Sequence, residues 1–262
     1  MSAIIIQERI AHYEVLGRGR PVLFLHGWVG SWRYWVPAMQ SASQRYRAYA
    51  VDLWGFGDSD KHPDAYRLDA QVRLLAAFLD EMGIGKIAIV GHGLGAVVGI
   101  LFSLHYPLAV DRIAAVAMPS ELAAIHPRLR TDSPEKLATW LLTPTLSTEI
   151  ARKEAPKADS AAIATSLNDL ANMDLLTEVL KVEAPCLLVH GRNDPLVRLP
   201  ATTTLTQMPD NMHQIVFEQS GHFPMLDEPS KFNRLMNDFL LLDSGTSPKQ
   251  LQLKEEWKRR VR

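Results

Sequence analysis

The run IAIVGHGLGAVVG, Ile87 to Gly99, decides how the rest of the chain is read. Four apolar residues lead into Gly91-His92-Gly93-Leu94-Gly95. An almost wholly apolar stretch follows, with Val97, Val98, Ile100, Leu101 and Leu104. That pattern is a strand, a tight turn and a helix buried on every side. Two glycines stand where a G-x-S-x-G turn needs small residues, but the tip, where such a turn carries serine, is Gly93. A tip residue sits at positive φ, which costs a residue with a side chain about 1–3 kcal/mol. Serine tolerates that strain because it aims Oγ outward; glycine relieves it and brings no nucleophile. The remaining sequence has to say what such a turn is for.

Outward from this run, short apolar stretches alternate with helical patterns. Residues 21–27, 46–55, 86–93, 112–119, 185–194 and 213–222 read as strands buried on both faces, because Val, Ile and Leu fill them without alternation. Val72, Leu75, Ala76 and Leu79 recur at helical spacing, with Asp69 expected to cap the start and Gly83 to end the helix. Phe232, Leu235, Met236 and Phe239 mark a last core helix, and the segments around AIII and RIAHYEVLG read as an antiparallel start. Such alternation predicts a doubly wound α/β fold with its ligand at the carboxyl ends of the strands.

One stretch breaks the alternation. From about Glu121 to Lys181 the sequence is Ala-rich, charged and helix-prone, and is punctuated by Pro127, Pro134, Pro144 and Pro156. Lying between two strands, it is expected to leave the sheet and return as a helical cap. The domain reading is therefore a core of 1–120 and 182–243, a cap of 121–181, and a linker and basic tail of 244–262. In the tail, Leu253, Trp257 and Val261 share a stripe among Lys and Arg. The tail reads as a solvated terminal helix, with membrane-surface contact as the alternative.

Bulk numbers narrow the function. With 262 residues, 47% apolar and 22% charged, the chain suits one large domain with an insertion. A formal charge of −1 gives no footprint for nucleic acid. One cysteine, Cys186, excludes an internal disulfide, and the N-terminal apolar run is too short for a signal peptide. No run has the length of a membrane span, and the expected location is cytoplasmic. No metal-ligand spacing and no phosphate or dinucleotide loop appears, so no cofactor is implied and no metal is expected.

Five motifs then stand in a telling order: FLHGW (24–28), VDLWGFGDSD (51–60), VGHGLG (90–95), VHGRNDPLV (189–197) and SGHFPMLDEP (220–229). Up to about Asp243 the chain resembles the α/β-hydrolase family, in its capped branch of esterases, dehalogenases and lyases. The resemblance implies a mostly parallel eight-stranded sheet, helices on both faces and a small helical cap. It places an acid at Asp194 and a base at His222, an oxyanion hole at the N–H groups of Trp28 and Leu94, and the nucleophile position at Gly93. Trp32 and Trp54, with Trp140 of the cap, are expected to wall a pocket for a small apolar molecule. His92 reads as a packed histidine, and Asp58 and Ser59 as residues that tie their loop down.

Removing the nucleophile of a serine hydrolase lowers kcat about 10⁶-fold. From a typical 10 s⁻¹ that leaves roughly one turnover per day, so hydrolysis through an acyl-enzyme is excluded. Three readings fit the remainder. His222 with Asp194 acts as a general base on water or an acidic substrate proton, with a small polar void above Gly93; or the protein is a non-catalytic binder; or Gly93 is an inactivating change in a serine ester hydrolase. The intact His–Asp pair favours the first.

Overall fold

The computed structural model describes residues 2–201 and 208–251. Its frame is a sheet of eight strands: β1 (Ser2–Ile6), β2 (Arg9–Gly17), β3 (Arg20–Leu25), β4 (Tyr46–Val51), β5 (Ile87–His92), β6 (Val110–Val116), β7 (Cys186–Gly191) and β8 (Met212–Phe217). Their order across the sheet is β1-β2-β4-β3-β5-β6-β7-β8. The β1–β2 and β2–β4 pairs are antiparallel, and every later pair is parallel. Each unalternating apolar run has become a strand, and five of them are inner strands. The run at 213–222 is the edge strand β8, only partly buried, so it does not meet the expectation of burial on both faces. Every residue of β5 and of β7 is buried, which requires cover on both faces.

The cover comes from helices that follow the strands. α1 (Val36–Ala42), α2 (Leu68–Glu81) and α3 (Leu94–His105) come from the first half of the chain. Next come α4 (Arg128–Thr131), α5 (Pro134–Leu141), α6 (Glu149–Glu154), α7 (Ser160–Ala171) and α8 (Leu175–Leu180), and then α9 (Pro224–Asp227) and α10 (Pro229–Leu241). α1 packs on α10, and α2 on α3. From β3 the chain steps outward to β4, then crosses back to β5 on the other side of β3. The crevice of a doubly wound sheet opens at such a reversal, at the carboxyl ends of the strands. The loop after β3 and the turn after β5 flank it.

Two local expectations need correction. Asp69 does not cap α2: it lies inside the first turn and pairs with Arg73 one turn on. The amide of Leu68 is instead capped from a distance, by Asp169 Oδ2 of α7 at 2.8 Å. A cap drawn from a hundred residues away leaves no trace in local sequence. The strands also end earlier than their apolar runs, at Val51, Val116, Gly191 and Phe217. Beyond Val51 and Val116 the chain leaves the ladder while staying buried, and beyond Gly191 and Phe217 it surfaces at Arg192, Asn193, Glu218 and Gln219. Gly83, at φ +64°, does end α2.

Residues 121–181 contain α4 to α8 and, among the described residues, no strand beyond an isolated bridge from Ile125 to Val197. Pro134 opens α5 at a position where the missing N–H costs nothing, with Ser133 Oγ accepting from Lys136 N–H. The segment attaches to loops that follow strands. Asp159 N–H donates to Gly55 O at 2.8 Å, His126 N–H to Leu196 O at 2.8 Å, and Ser31 Oγ–H to Glu154 at 2.9 Å. Leu253, Trp257 and Val261 lie outside the described residues. Within them, no helix is long and apolar enough to cross a membrane.

Candidate functional site

The turn after β5 is built by close approach. A Cβ on Gly91 would stand 2.4 Å from Gly95 O, and one on Gly95 would stand 2.5 Å from Leu25 O. Strand and helix therefore touch backbone to backbone, and both glycines are obligatory. Gly93 sits at φ +49°, ψ −111°, immediately before the first residue of α3. Its amide donates to Val116 O, and the Gly95 amide to His26 O, tying the turn to its neighbours on both sides.

Asp194 follows β7, and its carboxylate is fully engaged. Oδ1 accepts from the amides of Leu196 (2.7 Å) and Val197 (3.0 Å), and Oδ2 lies 2.8 Å from His222 Nδ1. Burial pushes the carboxyl up, but the charge and hydrogen bond of His222 and the two amides outweigh it and hold Asp194 below the usual carboxylate range. Both side chains are buried. With Nδ1–H given to the carboxylate, the lone pair of the neutral ring is on Nε2, the arrangement a general base needs.

His92 lies between these parts, and its hydrogen bonds have one consistent direction. A carbonyl only accepts, so Nε2–H donates to His222 O at 2.9 Å. Burial, with His222 nearby, holds the ring well below its ordinary pKa and therefore neutral. Nδ1 then accepts from the Tyr34 hydroxyl at 2.9 Å, which itself accepts the Gly27 amide at 2.7 Å. The chain runs Gly27 to Tyr34 to His92 to His222. It fixes the loop after β3 relative to the histidine loop, and leaves His92 no lone pair for chemistry.

The space above Gly93 corrects another expectation. A Cβ built there meets Trp28 Cε3 and Cζ3, each at 3.2 Å, so an indole ring and not a polar void covers the tip. Trp28 is fully buried, and its Nε1–H donates to Ser166 Oγ of α7 at 2.9 Å. The residue whose backbone was assigned to the oxyanion hole thus closes the turn with its side chain. Leu94 follows Gly93 as the first residue of α3, where an amide has no intrahelical acceptor.

The other tryptophans divide. Trp32 packs at a tilt against His12 and beneath Arg33, and Trp140 at a tilt against His126 and beneath Arg128. Trp54 is buried with its backbone held at both ends by Gln71. Cys186 is no substitute nucleophile: burial pushes its thiol up to about 12.

Spacing also missed a cluster. Asp52 accepts from the amides of Trp32 and Asp58 and from His12 Nδ1, anchoring three separate segments, one of them strand β2. His12, Asp52 and Asp58 bring their ligating atoms within 4.8 Å of one another, from three separate segments. Lys157 binds Asp58 at 2.8 Å, and Arg33 lies 3.6 Å from it. Protein cations already neutralise this group, which acts as an anchor. Ser59 bonds Asp52 O and the His12 amide.

A sequence model described as Alpha/beta hydrolase family matches residues 22–235. The chain belongs to the alpha/beta hydrolase family. The pimeloyl-[acyl-carrier protein] methyl ester esterase of Vibrio parahaemolyticus is 25% identical, over 87% of this chain and 97% of its own. The Aeromonas hydrophila enzyme of the same name is 27% identical, over 87% and 98%. Among solved structures, an E-2-(acetamidomethylene)succinate hydrolase superposes with a TM-score of 0.81 at 23% identity, covering 91% of this chain and 98% of that one. A serine-to-glycine mutant of an N-acyl homoserine lactonase, complexed with N-hexanoyl homoserine lactone, gives 0.78 at 18%, covering 91% and 96%. At these identities the two structures speak for the fold alone.

Proposed function

We propose that this alpha/beta hydrolase binds a small, largely apolar carboxylic ester or related carbonyl compound, and that His222, held by Asp194, serves as its general base. One observation carries the reading: a buried imidazole with Nδ1 committed to a buried carboxylate at 2.8 Å. In a pair of this kind the carboxylate fixes the tautomer and stabilises the imidazolium that forms on proton transfer. Gly93 supplies no nucleophile, so the proton comes from water or from the substrate itself. The amides of Trp28 and Leu94 are assigned to the developing oxyanion. Residues 121–181 act as the cap over this site, and Trp28 has to swing aside for a ligand to reach the tip at Gly93. The esterase names of the relatives support the ligand class.

A second reading, binding without turnover, is favoured by the Trp28 ring over Gly93, which leaves the tip covered. Incubation with a panel of p-nitrophenyl esters and acyl lactones separates the two. General-base catalysis gives turnover without a burst, lost in His222→Ala while ligand binding, read by tryptophan fluorescence, persists. Binding with no turnover above the His222→Ala background supports the second reading.

A further inference from the structure

The amino-terminal end of the sheet, opposite Gly93 and His222, holds a separate pocket of about 270 Å³. Arg20 lies at the start of β3, Tyr46 at the start of β4, Lys86 just before β5, and Asp111 and Arg112 in β6, all lining it beside Leu240 of α10. Parallel strands make this gathering possible, because their first residues come level at one edge. Three cations against one carboxylate leave a net charge of +2 around a small space.

Arg112 is the unusual member. Its guanidinium is almost wholly buried, with Nε donating to Asp111 Oδ2 and Nη1 to Phe239 O, both at 2.7 Å. Nη2 is buried without a partner. The nearby acceptors are already engaged. Tyr46 Oη–H donates to Leu240 O at 2.8 Å, and Asp111 Oδ1 accepts from Ser244 Oγ–H at 2.6 Å with Lys86 Nζ at 3.8 Å. The negative end of α10 and Asp111 offset part of the charge, but they leave the Nη2 edge bare. A buried guanidinium with an unsatisfied N–H edge is costly, and planar guanidinium matches an oxyanion in geometry.

We propose that this pocket is a binding site for a phosphate group, free or carried on a small organic molecule, held between Arg20, Lys86 and Arg112. The volume falls just below the range of ordinary small-molecule sites, which limits the organic part to a few atoms, and the Tyr46 ring and Leu240 give that part an apolar wall. The site lies away from the His222 chemistry, so it stands or falls independently of the proposed function.

Calorimetric titration at constant ionic strength tests it, with inorganic phosphate and phenyl phosphate as probes and acetate and chloride as controls. Arg20→Gln and Lys86→Glu are the variants, since both side chains are exposed and neither is needed for the fold; melting curves verify that. Saturable phosphate binding, weakened about tenfold by Arg20→Gln and more by Lys86→Glu, supports the site. Phenyl phosphate binding at least tenfold tighter than phosphate assigns the organic form, and equal affinity assigns the free ion. No saturable binding of either probe, binding indifferent to both variants, or equal binding of acetate or chloride overturns the proposal.

Discussion

The two halves of the candidate site are finished in opposite ways. Around His222 both carboxylate oxygens of Asp194 have partners, and the backbone of His222 is itself bonded by His92. At Gly93 the tip has no side chain and an indole ring lies against it. The acid–base half holds buried polar groups that must be satisfied to be tolerated. The tip half has been packed as core. Under the proposed reading, the difference teaches that a tip without a nucleophile alters one position and its cover, while the network behind the histidine stands.

The comparison breaks first at the glycines. Gly91→Ala or Gly95→Ala forces a Cβ to 2.4–2.5 Å from a carbonyl oxygen, and either is expected to destabilise by about 4 kcal/mol or more, in the range reserved for core disruption. Gly93→Ala meets only a ring at 3.2 Å, plus the strain of φ +49°, and should cost about 1–3 kcal/mol. Urea midpoints of the three variants check the order. Equal losses would mean that the tip is packed as tightly as its flanks.

Next in size comes the tie that holds the indole. Ser166→Ala leaves the buried Trp28 N–H without an acceptor, at a cost of about 1–3 kcal/mol. It should also free the ring, so that the further cost of a side chain at position 93 shrinks in the Ser166→Ala background. A double-mutant cycle measures that coupling, and additive losses would show that Ser166 does not hold Trp28 in place.

The smallest effects are in pH. His92 is held well below 6.5, chiefly by burial, so its unfolded form binds a proton that the folded form refuses. Its contribution to stability is full above pH 6.5 and is lost as pH falls toward the folded-state value. Asp194 is held below 3.8, so its contribution is full above that pH and is lost only as pH falls further. Stability should therefore decline first below about pH 6.5 and again below about pH 4. His92→Asn should weaken the first decline and Asp194→Asn the second, followed by urea midpoints from pH 8 to 3. A first decline unchanged in His92→Asn would place the proton elsewhere, with His26 and His190, also buried and lowered, and the half-buried, lowered His213 as the remaining acceptors.

Most of the sheet was legible because burial on both faces writes itself into sequence as unbroken Val, Ile and Leu, as in Ile87–Val90 and Leu187–Val189. The edges were not, since residues such as Leu53 and Met118 stay buried after leaving the ladder. His92 could be read as packed from its place in the turn. Asp52, Tyr34 and Ser166 could not be found, because each works through partners far along the chain, Ser166 through a residue 138 positions away. The same limit hid the Trp28 ring. The HGW motif speaks for a backbone N–H, while the direction of the side chain is set by α7.

The central claim is that glycine at position 93 leaves the proposed site without a nucleophile while its acid–base half remains competent. The most direct measurement is p-nitrophenyl acetate turnover by Gly93→Ser, alone and combined with His222→Ala, with folding verified by melting. The account predicts that Gly93→Ser raises turnover over the starting protein by about 10³-fold or more, within the roughly 10⁶-fold that a nucleophile supplies, and that His222→Ala abolishes the gain. A well-folded Gly93→Ser protein that turns over no faster than the starting protein would contradict it.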